Sequence, residues 1–320
     1  MRIAILGATS QIAKDLIISF SENSNHDLIL FARRPDLVIH WLTTIKLNEK
    51  YSTHDFGSFG VDKYFDSIIN FVGVGDPAKA VNMGASIFDV TQKYDEMALD
   101  YVRQQPNCKY IFLSSGAAYN STFDEPVDRD TKAVVAINNL QPNDWYALAK
   151  LSAECRHRSL SRLSIVDIRV FNYFSHTQDL NARFLIMDIL RAIQLSKKFI
   201  TSPENIVRDY IGPQEFYNIV SSILYSDSRN TAIDCYSKKP IDKISLLQMM
   251  KSNFSLDYDI RQTGSLVNAT GNKINYFSRN YIAEEFGYIP KRKSVDIIKQ
   301  EMSKIIHISE VHPSKNHEQN

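Results

Sequence analysis

The sequence predicts an α/β fold, a doubly wound parallel sheet followed by a smaller C-terminal α+β lobe. Three observations carry this. Apolar runs of strand length alternate with segments of helical periodicity up to about residue 170, the rhythm that produces parallel strands with helices on both faces. The first run, Arg2-Ile3-Ala4-Ile5-Leu6, passes into a glycine-bearing turn and then a helix. Beyond Asn172 the strands are shorter, the order less regular and the composition more polar. The expected division is 1–171 for the sheet domain, which also receives part of 205–236, and 172–320 for the lobe. A frayed tail is expected after about residue 308.

Composition narrows the classes of function. With 320 residues and 44% hydrophobic content, the chain can bury a full core. Its 37 basic and 36 acidic residues leave a formal charge of +1, which gives no electrostatic case for nucleic acid or an anionic membrane. Any anion must therefore be met locally. Met1 runs directly into the first strand, without a basic leader or a bilayer-length apolar run, so a cytoplasmic protein is expected. Cys108, Cys155 and Cys235 are widely spaced and odd in number. They read as reduced structural thiols, with no metal site.

Residues 2 to 8 form the first expected strand and Gln11 to Phe20 the first helix, with Ile12, Leu16, Ile17 and Phe20 on its apolar face. Between them lies Gly7-Ala8-Thr9-Ser10. A strand, a tight turn and a helix N-terminus make a phosphate site, because free backbone N–H groups and the helix dipole converge there. A dinucleotide fingerprint of the G-x-x-G-x-x-G kind finds Gly7, then Ser10 and Ala13 where it has glycines. The second strand, 27–32, ends in Arg33-Arg34-Pro35. An acid at this point would hold a ribose 2′-hydroxyl, whereas an arginine accommodates a 2′-phosphate.

A third strand is expected near Tyr51 to Phe56, and Ser67 to Gly73 is a buried strand entering the loop Val74-Gly75-Asp76-Pro77. Phe88 to Arg103 has helical spacing, and Lys109 to Ser115 is the fifth strand. Ligands bind at the carboxyl ends of such strands, which lines up the Gly7 turn, Arg33, Asp55, Gly73 and Ser115 along one edge. His54 reads as a surface histidine. Gly116 to Asn143, polar and carrying Pro126 and Pro142, is a covering loop.

A helix from Asp144 to about Arg162 carries Tyr146 and Lys150. Residues four apart share a helix face, so the phenol and the ammonium point the same way. The spacing is common in amphipathic helices, but a positive charge lowers a phenol's pKa toward the range of proton transfer. Strand 164–170 follows. In the lobe, Phe184 to Leu195, Gln214 to Leu224, Ile244 to Met250 and Ser294 to Ile306 read as helices. Arg208 to Pro213, Thr231 to Tyr236 and Leu256 to Gln262 read as short strands or turns.

Taken in this order, the parts resemble the extended short-chain dehydrogenase/reductase family, which includes nucleotide-sugar epimerases, dehydratases and ketoreductases. The resemblance covers roughly the first 220 residues. Leu113-Ser114-Ser115-Gly116-Ala117-Ala118-Tyr119 matches the family's serine strand, Tyr146 and Lys150 its Tyr-x-x-x-Lys pair, and Glu154 the acid that commonly follows. Arg169-Val170-Phe171-Asn172 matches the end of the sixth strand, and Arg208-Asp209-Tyr210 the segment whose arginine contacts a sugar-nucleotide diphosphate.

The resemblance implies a Rossmann-type fold with Ser115, Tyr146 and Lys150 as catalytic residues. It implies cofactor binding by Gly7, Thr9, Ser10, Gln11, Ile12, Arg33, Arg34, Asp55, Phe56, Phe71 and Gly73 together with Tyr146 and Lys150, and substrate binding by Ser115, Gly116, Asn172 and Arg208. The family's 4,6-dehydratases carry Asp-Glu where this chain has Gly116-Ala117, and Thr91 stands where the family has an asparagine. The expected function is an NADP-dependent reductase of a keto-sugar nucleotide of the 4-keto-6-deoxyhexose type, serving polysaccharide biosynthesis, with hydride from NADPH and the proton from Tyr146. The alternatives are a nucleotide-sugar epimerase with bound NAD(P), for which NAD would serve, and a non-catalytic NADP-binding sensor, in keeping with Ser10 and Thr91. The expected partner is a nucleotide sugar, with no nucleic acid and no membrane. A homodimer is compatible with the sequence.

Overall fold

Strand β1 (Arg2–Leu6) is buried along four of its five residues, as a strand covered on both faces must be. Its side chains alternate between two cores. Ile3 and Ile5 join one cluster with Leu16, Ile17 and Phe20 of helix α1 (Gln11–Asn23). Ala4 and Leu6 join another on the opposite face. The computed structural model describes residues 1–61, 64–74, 80, 82–262 and 273–311, with side chains to residue 306. The loop residues Gly75, Asp76 and Pro77 and the tail from 312 lie outside the described residues.

Six further strands pair in parallel with β1 to form one sheet: β2 (Asp27–Phe31), β3 (Ser52–His54), β4 (Ser67–Asn70), β5 (Lys109–Ser115), β6 (Ile165–Val170) and β11 (Asn230–Asp234). Their order is β3-β2-β1-β4-β5-β6-β11. This is the doubly wound Rossmann-type architecture. Strand order reverses between β1 and β4, so a crevice opens at their carboxyl ends, beside Gly7 and Gly73.

Helices α1, α2 (Pro35–Thr44) and α6 (Pro213–Tyr225) pack on one face through Leu16, Val38, Leu42, Phe216 and Ile219. Helix α3 (Ser86–Gln104) and helix α4 (Trp145–Ser159) cover the other, through Ala98, Leu99, Val102 and Ala153. Helix α2 was not expected. Arg33-Arg34-Pro35 reads as a turn, but proline suits the first helical position, where its missing N–H costs nothing, and Asp36 favours the positive helix end.

The remaining elements are small except for three helices. They are β7 (Asn172–Tyr173), α5 (Leu185–Gln194), β8 (Phe199–Thr201), β9 (Val207–Arg208), β10 (Tyr210–Ile211), β12 (Ile241–Asp242), α7 (Lys243–Phe254), β13 (Tyr258–Ile260), β14 (Asn275–Tyr276) and α8 (Ser294–Val311). Helices α5, α7 and α8 share a separate core that includes Ile186, Leu190, Leu247, Met250, Ile298 and Met302. Strands β12, β9 and β14 form a small sheet that sets Tyr276 in register with Arg208. The loop from 116 to 143 is broken by short 3₁₀ turns and bridges from Val127 to Ser278. Cys108 and Cys235 are buried and Cys155 exposed, none of them bridged. Among the described residues no helix is long and apolar enough to cross a membrane.

Helix α8 is pinned where the chain first enters the lobe. Glu301 accepts bonds from the His176 backbone N–H at 2.9 Å, His176 Nδ1 at 2.7 Å and Lys304 Nζ at 2.7 Å. Burial opposes its charge, but the bonds from His176 and Lys304 outweigh burial and hold the carboxyl at about 2, below its ordinary 4.5. A depressed folded pKa gives stability that is complete above about pH 4.5 and lost as the pH falls through about 2. Glu301→Gln is expected to cost about 1.5 to 3 kcal/mol at pH 7, shrinking over that acid window in urea titrations. A loss independent of pH would refute the assignment.

Candidate active site

Strand β5 ends in two serines that alternate in direction. Ser114 Oγ donates to Glu154 Oε1 at 2.6 Å, tying the strand to α4. Ser115 turns the other way, accepts from the Ala117 N–H at 3.2 Å and lies 3.5 Å from the Tyr276 hydroxyl. Glu154 is fixed in turn by the Arg169 guanidinium, Nη2 to Oε2 at 2.5 Å. Helix α4 is thereby docked against the end of the strand that carries Ser115.

That docking brings in Tyr146 and Lys150. Burial raises the Tyr146 pKa and the bond to the Ser115 side chain works against the rise. The lowering expected from Lys150 is not what moves the phenol: burial raises it, and only the Ser115 bond opposes the rise. Lys150 is 5% exposed. Its Nζ donates to the Leu113 carbonyl at 2.7 Å and stands 4.4 Å from the centre of the Phe112 ring. Burial lowers its pKa to about 8, although Asp95, Glu154 and Asp167 all favour the charge.

The glycines frame a cradle. Gly7 has φ +81°, and a Cβ there would lie 3.0 Å from the backbone of Phe71 and Val72. Its N–H and that of Ala8 bond the Phe31 carbonyl at 2.9 and 3.1 Å, which fastens the turn to the end of β2. Ser10 stands extended at the N-cap of α1 without a side-chain cap. Gly73, at φ +153°, would place a Cβ 3.5 Å from Lys150 Nζ, so the loop after β4 runs beside the ammonium. A turn of this shape at a helix N-terminus, with a cation beside it, fits a dinucleotide.

The other expected cofactor residues fall unevenly around this cradle. Thr9, Arg33, Arg34 and Asp55 are exposed, and Asp55 caps the turn after β3 by accepting from the Ser58 N–H at 3.2 Å. Phe56 is half-buried, its ring 4.5 Å from that of Tyr94. Gln11 bonds Asp15 at 3.3 Å and also Thr177, while Ile12 packs on the sheet core. The Phe71 side chain is buried in that core against Phe216, so its backbone is what borders the cradle. Thr91 is buried on α3, one turn before Asp95. His54 is half-buried against Phe31.

On the substrate side, Gly116 has no room for a side chain, since a Cβ would lie 2.4 Å from the Phe171 ring. Asn172 Nδ2 bonds the carbonyls of Asp209 and Tyr276 at 3.1 and 3.3 Å, joining the strand that follows β6 to two later segments of the lobe. Arg208 is buried, donates to the carbonyls of Val207 and Ile274 at 2.8 and 3.1 Å, and lies 5.9 Å from the Tyr276 ring centre. Two neighbours escape sequence reasoning. Lys273 Nζ sits 4.8 Å from the ring centres of both Phe123 and Tyr276, its pKa lowered to about 8 by burial and then by Arg208. Tyr276 joins Ser115 to this cationic corner. Nothing in the local pattern Asn275-Tyr276-Phe277 announces it.

A family model described as the NAD dependent epimerase/dehydratase family matches residues 3–234. The chain belongs to that family. The fold is shared along nearly its whole length with solved structures of low sequence identity. A UDP-glucose-4-epimerase from Stenotrophomonas maltophila with bound NAD and formylated UDP-arabinopyranose is 14% identical, with a TM-score of 0.79, covering 97% of this chain and 99% of that one. A UDP-glucuronic acid 4-epimerase from Bacillus cereus, in complex with UDP-glucuronic acid and NAD, is 15% identical, TM-score 0.75, covering 96% and 100%. A dTDP-glucose 4,6-dehydratase from Bacillus anthracis, in complex with NAD, is 13% identical, TM-score 0.77, covering 97% and 98%. A search of curated proteins finds no match to the sequence.

The geometry separates the two residues of the helix pair. Lys150→Met removes the cation beside Gly73, and NAD(P) affinity is expected to fall roughly tenfold to a hundredfold, the worth of a hydrogen bond to a charged group. Tyr146→Phe keeps the ring and is expected to bind the dinucleotide within about threefold of the unaltered protein. Fluorescence titration of the two variants measures both. Equal affinity in Lys150→Met would remove the lysine from the cofactor site.

Proposed function

We propose that the protein is a nucleotide-sugar epimerase that works with a retained NAD(P). The observation that carries this reading is a single proton-moving set, Ser115, Tyr146 and Lys150, at a strand end where Gly116 and Ala117 offer no second acid or base. Elimination of water would need such a pair. Phe171 fills the place where the first of those side chains would stand. The 4-epimerase structures that share the fold along the whole chain, lobe included, support the choice over a reductase.

When bound, the dinucleotide supplies the hydride acceptor and donor. The Gly7 turn and the N-terminus of α1 would hold its diphosphate, with Lys150 beside its ribose. Ser115 positions the sugar hydroxyl, and Tyr146 takes and returns its proton. A raised pKa leaves little of the phenolate that could accept a proton, so Tyr146 would act within the field of Lys150 and the bound dinucleotide. Arg208 and Lys273, on either side of Tyr276, suit the diphosphate of a nucleotide sugar. An anion there would offset both the burial that chiefly depresses Lys273 and its repulsion from Arg208.

One observation favours a second reading, the NADPH-dependent keto-sugar reductase. Arg33 and Arg34 lie exposed at the end of β2, where a 2′-phosphate would sit. The sensor reading loses ground because Ser115, Tyr146 and Lys150 converge. Proton NMR of a UDP- and dTDP-sugar panel incubated with the protein is expected to show new epimer signals without net coenzyme consumption, and none with Tyr146→Phe. Stoichiometric NADPH loss with 4-keto-6-deoxy sugar nucleotides, together with a preference for NADPH that Arg33→Asp abolishes, would select the reductase instead.

A further inference from the structure

Two helical turns beyond Lys150, on the same face of α4, lies His157. Its ring is wholly buried. Nδ1 is 2.6 Å from Asp167 Oδ1 on β6 and Nε2 is 2.8 Å from Asp95 Oδ1 on α3. A carboxylate only accepts, so with one at each nitrogen both nitrogens donate and the ring is an imidazolium. Burial opposes that charge, and the two carboxylates overcome it, raising the His157 pKa to about 9.

The cluster reaches the cofactor loop by an unbroken chain of hydrogen bonds. Asp95 Oδ1 also accepts the Tyr110 hydroxyl at 2.8 Å. Tyr110 accepts from Asn70 Nδ2 at 2.9 Å, and Asn70 Oδ1 accepts from the Val72 N–H at 2.9 Å. The next residue is Gly73, beside Lys150 Nζ. The other charged groups facing the cluster are Arg158, bonded to Asp167 Oδ2 at 2.7 Å, Arg156, 3.6 Å from Asp95 Oδ2, and the Glu154–Arg169 pair. Asp95, Glu154 and Asp167 are also the carboxylates that favour the Lys150 charge.

We propose that His157 is a positioning residue of the active site, a buried imidazolium clamped between Asp95 and Asp167 that holds the cofactor loop through Tyr110 and Asn70 and sets the charge around Lys150. Its functional weight rests on Lys150 acting as assigned above. Stability alone does not call for such a cluster, since buried ion networks can often be replaced by apolar side chains without loss. Without the imidazolium, two buried carboxylates would face Lys150 with less compensation and hold it protonated to higher pH. Without Asp95, Lys150 would lose a favourable carboxylate and titrate lower. The two changes, made to partners of one ion pair, move Lys150 in opposite directions.

The test is an NMR titration of Lys150 in protein labelled with [13Cε]lysine, its signal assigned by its absence from Lys150→Met. The unaltered protein is expected to titrate near pH 8. The midpoint should fall by at least about half a unit in Asp95→Asn and rise by a similar amount in His157→Gln, the size of a change in one nearby charge. Midpoints that stay put, or move in the same direction, would overturn the proposal. Should His157→Gln fail to fold, the Asp95→Asn shift and the 15N signals of His157 in the unaltered protein decide: an imidazolium persisting above pH 8 supports it, and a neutral ring at pH 7 overturns it. NAD(P)H affinity measured over the same pH range separates this idea from the proposed function. Opposite shifts in a protein that binds no dinucleotide would retain the cluster's control of Lys150 and discard the cofactor reading.

Discussion

A lysine ammonium 5% exposed to solvent is the constraint on which the site depends. Burying such a charge is costly unless the fold supplies partners, and here the partners come from four elements. The Leu113 carbonyl of β5 accepts its hydrogen bond, the Phe112 ring lies beneath it, and carboxylates on α3, α4 and β6 favour its charge. Lys150 can satisfy these only if α4 lies across the end of β5. The same placement brings Tyr146, one turn earlier, to Ser115. The Ser114–Glu154–Arg169 bonds fix that crossing from beneath.

Arg169 extends the arrangement into the lobe. Its guanidinium lies 4.4 Å from the Tyr119 ring centre, Tyr119 donates to Asp234 at 2.8 Å, and Asp234 also accepts from Ser278. The loop that covers the site, the seventh strand of the sheet and the segment after β14 are thus joined by one polar network. Register does the rest: pairing of β9 with β14 sets Arg208 beside Tyr276, and Tyr276 lies against Ser115. The Arg208 and Lys273 cations are thereby held at a fixed distance from the Ser115 hydroxyl.

Much of this was legible from local pattern. Strand β5 with Ser115 at its end, and α4 with Tyr146 and Lys150 one turn apart, follow from periodicity, and the edge they occupy follows from the rule for parallel sheets. Three things were not legible. Helix α2 was hidden because Arg33-Arg34-Pro35 serves equally as a turn and a helix start. Tyr276 is placed by strand pairing between distant segments, which leaves no local signal. The direction of the Tyr146 shift depends on burial, whereas helical spacing reports only which neighbours share a face. The conflict between Gly116 and the Phe171 ring is likewise a fact of packing, and it gives a steric reason for what the sequence shows only as a missing acid.

The central claim is that α4 presents Tyr146 and Lys150 jointly to a dinucleotide lying between the Gly7 turn and Gly73. A crystal structure of the protein grown with NAD(P) and UDP tests this most directly. The account predicts the nicotinamide ribose within hydrogen-bond distance of Lys150 Nζ, Tyr146 Oη facing the sugar site beside the nicotinamide, and the UDP diphosphate against Arg208 and Lys273. A dinucleotide bound away from the carboxyl ends of β1 and β4, with Lys150 touching only Leu113, would contradict it.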